Sequence, residues 1–170
     1  MGALGNLADL EGPLRSLYRD RPDLGAAIRA IEPDLSFAKY LRNVFAGHIN
    51  DQLIAKSYEW RTELRSLSKI RELSGTIMLN LYVLETAINS YVGLDGRHGK
   101  FSSETDLVYP PDMERFSVWL RETIRAAQRV CNDLGAITLA FVAPLSDGSQ
   151  MFDAYATAGQ TDFARIRKRH

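Results

Sequence analysis

Arg42, Asn43 and His48 lie within seven residues of each other in YLRNVFAGHIND, residues 40–51. An imidazole with an ordinary pKa of about 6.5 can move protons near neutral pH. A planar, permanently charged guanidinium can grip an oxyanion through paired hydrogen bonds, and a carboxamide can orient either partner. In one continuous helix these groups could not cooperate. His48 would fall on the apolar face behind Leu41 and Val44, with Arg42 about 240° away around the axis. Gly47, however, is a candidate residue just past a helix end, and Asn50 or Asp51 can cap a new helix through Leu53 and Ile54. A break there would swing His48 toward Arg42 and Asn43. The plainer reading makes Arg42 and Asn43 surface groups and His48 a hydrogen-bonded residue at a helix corner.

The elements that must position these residues read as mainly α, a bundle of about five helices in one domain over residues 1–170. Short helices are predicted in LADLEGPLRSLYRD and DLGAAIRAIEPD, with Pro13 and Pro22 at starts or breaks. Asp34 then reads as the N-cap of a helix over 35–46 carrying Leu35, Phe37, Tyr40, Leu41, Val44 and Phe45. From Trp60 to Val92, Leu64, Leu67, Ile70, Leu73, Ile77, Leu81, Leu84, Ile88 and Tyr91 form a nearly heptad seam, widened by Met78, Leu79 and Val83. This is the central helix or helix pair, broken near Ser68 or Gly75. Its apolar circumference exceeds what one bundle face needs, which predicts a homodimer.

GLDGRHGKFSSETDLVYPP, residues 93–111, reads as a long loop. Asp112 is the predicted cap of a helix lined by Met113, Phe116, Leu120, Ile124, Ala127, Cys131 and Leu134 and stopped by Gly135. Cys131 is thereby predicted to be a small core residue. Beyond it, AITLAFVAP and QMFDAYAT flank the turn LSDGS, which reads as a small C-terminal β-hairpin with a helix as the alternative. Residues 161–170 read as a flexible basic tail.

Composition narrows the function classes. Lys plus Arg equals Asp plus Glu at 21 each, so no global field would hold the chain on nucleic acid or an anionic membrane. The most apolar run, TIMLNLYVLETAI, is too short to span a bilayer and is interrupted by Asn80 and Glu85; no membrane contact is expected, and a cytoplasmic location fits. A lone cysteine excludes an internal disulfide and any multi-cysteine metal site, and the three histidines stand far apart, so no metal or other cofactor is expected. The loop GLDGRHGKFSS is no phosphate-binding Walker motif, because Leu94 replaces a required glycine and Phe101 the required Ser or Thr. Arg97, His98 and Lys100 remain as cations that could meet phosphate, against the plainer reading of a solvated loop. Arg165, Arg167, Lys168 and Arg169 could similarly hold RNA backbone or serve only to solubilise the terminus. Glu72 and Glu85 read as surface or helix-contact charges.

The pattern Arg42-Asn43, four intervening residues, His48 resembles the signature of the HEPN superfamily. The resemblance implies a small helical bundle and a metal-independent endoribonuclease, of the kind found in toxin-antitoxin and phage-defence systems, in which two protomers form one cleft. It implies that His48 acts as general acid or base on the 2′-hydroxyl, that Arg42 holds the phosphate and that Asn43 orients substrate or histidine. RNA, a second copy of the chain and an antitoxin or other protein are the implied partners. This chain has Asn50 where one subgroup carries a tyrosine, and its motif stands early in the domain. The competing reading is a noncatalytic, dimeric helical interaction or adaptor module.

Overall fold

The computed structural model describes residues 1–46, 50–67, 69 and 72–139. The chain divides into a unit Met1–Asp133 and a second, Leu134–His170, of which only 134–139 are described. The architecture is helical: α1 (Gly2–Leu14), a 3-10 turn (Arg15–Arg19), α2 (Pro22–Leu41), a π-helical turn (Arg42–Ala46), α3 (Asp51–Trp60), α4 (Leu64–Leu67), α5 (Leu73–Asn89) and α6 (Pro110–Leu139). No strand occurs among the described residues. The segment proposed as a hairpin lies outside them from residue 140 onward, and its first residues, 136–139, continue α6.

Helix α2 corrects the sequence expectation of two helices meeting at Asp34. Pro22 opens it with a preset φ, and Asp23 stands in the first turn where the helix dipole favours an anion. The helix then continues without interruption past Pro33. Leu24, Ile28, Ile31, Leu35, Ala38 and Leu41 recur at steps of three and four and are buried on both sides of that proline. An interior proline costs about 3 kcal/mol, whereas each fully buried large aliphatic contributes about 1.5–3 kcal/mol. The shared buried stripe wins, and Asp34 becomes a mid-helix residue rather than a cap.

The centre of the core is Phe37, with no exposed surface. Its ring lies 4.9 Å from both Tyr91 and Trp119 and 6.0 Å, edge-on, from Phe101. Phe101, Thr105 and Leu107 therefore tie the long loop before α6 into the bundle. Asn89 holds Thr105 in both directions, accepting from its N–H and donating to its carbonyl at 2.8 Å each. The start of the loop folds back through a Val92–His98 bridge, which Gly96 permits at φ +75°.

Helix α6 buries Phe116, Trp119, Thr123, Ala127 and Val130. The predicted stripe shared only Phe116 and Ala127 with this face; Ile124 and Cys131 are exposed. The rotation follows Trp119, whose large ring enters the aromatic cluster while its indole N–H donates to Asp34 Oδ1 at 2.7 Å. Asp112 lies inside the first turn, where its carboxylate accepts from the Asp106 N–H. Asp106 itself ties down the entry by accepting from the Val108 and Tyr109 amides. Nor does Gly135 stop the helix, which continues to Leu139. The long seam breaks between Leu67 and Leu73, on the Ser68 side of the two proposed points; Gly75 is a buried position within α5.

Candidate functional site

At the end of α2 the backbone widens into the π-helical turn Arg42–Ala46. The described chain resumes at Asn50, whose Oδ1 accepts from the Gln52 and Leu53 amides at 3.0 and 3.2 Å and so caps α3. The anticipated cap at Asn50 is therefore present, whereas Gly47, the expected end of the preceding helix, lies outside the described residues. His48, between these two elements, lies outside the described residues, as do Arg165, Arg167, Lys168 and Arg169.

Arg42 and Asn43 meet, with Arg42 Nε donating to Asn43 Oδ1 at 3.2 Å. The rest of the guanidinium faces α1. Nη1 donates to Asp9 Oδ2 at 2.9 Å and to Asn6 Oδ1 at 3.0 Å. The side chain passes over Gly5 so closely that a Cβ there would stand 2.9 Å from its Cδ and Nη1. Lys39 reaches the other oxygen of Asp9 at 2.7 Å. Hydrogen bonds from Lys39 and then Arg42 hold the Asp9 carboxyl below its ordinary pKa. An anion arriving at Arg42 would have to displace Asp9. Of the loop cations, Lys100 is paired with Asp34 and sits over the Trp119 ring, so its charge is already compensated. Arg97 is exposed and lies 3.6 Å from Asp95.

Two groupings escaped the sequence reading. The first is ionic: Arg61, just past α3, donates through Nε and Nη2 to Glu85 Oε1 at 2.9 and 2.6 Å, while Glu85 Oε2 accepts from the Leu107 N–H at 2.8 Å. Glu85 is fully buried, the helix-contact rather than the surface alternative. The second is a cleft of about 410 Å³ where α3, the last turn of α5 and the long loop converge, lined by Lys56, Glu59, Trp60, Thr86, Asn89, Ser90, His98 and Glu104. His98, read as part of a solvated loop, is half-buried there. The spacing of Lys56, Glu59 and Trp60 on one face of α3 was visible in the sequence, but its meeting with the loop was not. A more apolar groove of about 240 Å³ also runs between the π-helical turn, α3 and α5, lined by Val44, Phe45, Leu53, Ile54, Leu79 and Val83 among others.

Among the described residues, no group of three or more His, Cys, Asp or Glu side chains is placed to hold a metal ion, and no helix is long and apolar enough to cross a membrane. The chain matches no protein-family model, no curated protein and no solved structure.

Proposed function

We propose that the protein is a noncatalytic helical interaction module that pairs with a second copy of itself through α5. The observation that carries this reading is the outward character of that helix. Residues 73–84 include no charged side chain, yet Leu73 and Ile77, one turn apart, are 75% and 57% exposed. A separate apolar groove beside Leu79 and Val83 lies elsewhere around the same helix. An uncharged face with large exposed aliphatics is what association removes from water. Light scattering at micromolar concentration should report twice the 19.1 kDa chain mass. Leu73→Glu combined with Ile77→Glu should halve it while leaving the helical circular dichroism intact. A parent protein that is monomeric throughout this range rejects the reading.

A second reading is a HEPN-like, metal-independent endoribonuclease of a toxin-antitoxin or phage-defence system, acting in the cytoplasm with a protein antitoxin as further partner. It is favoured by one observation: Arg42 and Asn43 are hydrogen-bonded on an irregular turn, and π-helical turns recur at functional sites. In it, His48 moves protons, Arg42 binds the phosphate after leaving Asp9, and Asn43 orients substrate or histidine. RNA cleavage should then survive a chelator and be abolished by His48→Ala or Arg42→Ala. Arg42→Lys should rescue poorly, because an ammonium lacks the planar fork. Asp9→Ala should speed cleavage by releasing Arg42. A His48→Ala protein that cleaves as fast as its parent removes this reading.

A further inference from the structure

We infer that the cleft between α3, the end of α5 and the long loop binds a small ammonium-bearing zwitterion, the chemical class of a free amino acid. Its volume of about 410 Å³ lies within the range of small-molecule sites and well below what a folded partner would fill. Lys56, Glu59, His98 and Glu104 all line this space. Although they include both signs of charge, their side chains form no ion pair or hydrogen bond with any described residue. Ser90 lines it too, and its hydroxyl oxygen is closed off from water without a hydrogen-bond partner. By contrast, the Asn89 carboxamide is committed to Thr105, and the Thr86 hydroxyl donates to the Tyr82 carbonyl. The cleft thus separates into side chains committed to the fold and a set without protein partners, of which Lys56, Glu59 and Glu104 are exposed to solvent and the Ser90 hydroxyl is not.

The electrostatics select the ligand. Two carboxylates face one ammonium, and two helix C-termini meet here, at Trp60 of α3 and Asn89 of α5. Neither helix has a basic residue in its last turn, and Arg61, which follows α3 and lies over one side of the Trp60 ring, is already paired with Glu85 and Asp106. The lining therefore favours a cationic group and repels a nucleotide or other polyanion. Glu59 and Glu104 take the ligand ammonium through charge-assisted hydrogen bonds. Lys56 takes an acidic group at the other end, and the Trp60 ring supplies an apolar wall. A χ1 rotation of Ser90 would give its hydroxyl a partner on the ligand.

The test is a titration of the full chain with the twenty standard free L-amino acids, followed through the Trp60 indole signal in NMR spectra and assigned with Trp60→Phe. For the tightest of them, the matching amine without the carboxylate and the matching acid without the ammonium are then compared. At least one amino acid should give a saturable shift with a Kd of about 1 mM or tighter. The amine should bind about tenfold more weakly, and the acid should not bind. Glu59→Gln with Glu104→Gln should abolish the shift without changing spectral dispersion, and Lys56→Ala should lower affinity for the amino acid to that for its amine. If no amino acid moves the Trp60 signal, or if the acid binds as well as the amino acid, the inference is overturned.

Discussion

Arg61 Nη2 lies 2.6 Å from Glu85 Oε1, joining the residue after α3 to a carboxylate with no exposed surface on α5. The other Glu85 oxygen holds the Leu107 amide, so one side chain fastens two helices and the long loop. Removing Glu85 leaves three hydrogen bonds unmade and Arg61 with only its 3.4 Å contact to Asp106. Glu85→Ala should therefore destabilise the fold by about 3–5 kcal/mol in urea denaturation. A loss below about 1 kcal/mol would show that the pair contributes no more than an exposed one.

The same carboxylate predicts a pH dependence. Burial raises the Glu85 pKa above its ordinary 4.5, and the attraction of Arg61 and the Leu107 N–H offsets this only in part. Burial acts against the Arg61 charge too, but Glu85 outweighs it and the guanidinium pKa rises. Because the folded chain holds the Glu85 proton more tightly than the unfolded chain, its stabilising contribution is full below pH 4.5 and is lost as pH rises through the folded pKa. Asp23, lowered to about 2 by its hydrogen bond from Arg21, has the opposite sign, contributing above pH 3.8 and losing that contribution as pH falls. Urea melts of the parent and Glu85→Gln across this range should give a stability difference that shifts against the parent as pH rises. A difference that shifts in its favour would mean that Arg61 dominates burial.

At the α1–α2 contact, Gly5→Ala should push Arg42 off Asp9, since its Cβ would meet the flexible end of that side chain rather than backbone. Alanine also gains up to about 1 kcal/mol of helix propensity, so the single variant need not be less stable. The informative quantity is coupling. Arg42→Gln should destabilise the parent and have little effect in the Gly5→Ala background, a double-mutant interaction of about 1 kcal/mol. Additive effects would show that Arg42 keeps its partners despite the methyl group.

Cys131 is exposed on α6, so a maleimide should modify it in native buffer nearly as fast as in denaturant. Protection that disappears only on unfolding would restore the core position predicted from helical periodicity.

The helical class was legible in the sequence because it rests on local quantities: apolar residues at steps of three and four, Pro22 at a helix start, and Asn50 able to cap α3 through its own side chain. The glycine-rich loop was legible for the same reason. Rotation and continuity were not, because they depend on what each helix meets. Asp34 reads as the cap of a new helix until Leu24–Leu41 is seen to bury one stripe across it. Cys131 reads as core until Trp119 turns α6 toward Phe37 and Asp34. Charge partners were hidden for the same reason: Arg42 is 33 positions from Asp9, Arg61 is 24 from Glu85, and Lys100 is 66 from Asp34. Local periodicity says which residues can share a face, whereas desolvation and ion pairing are settled only when distant segments close on one another.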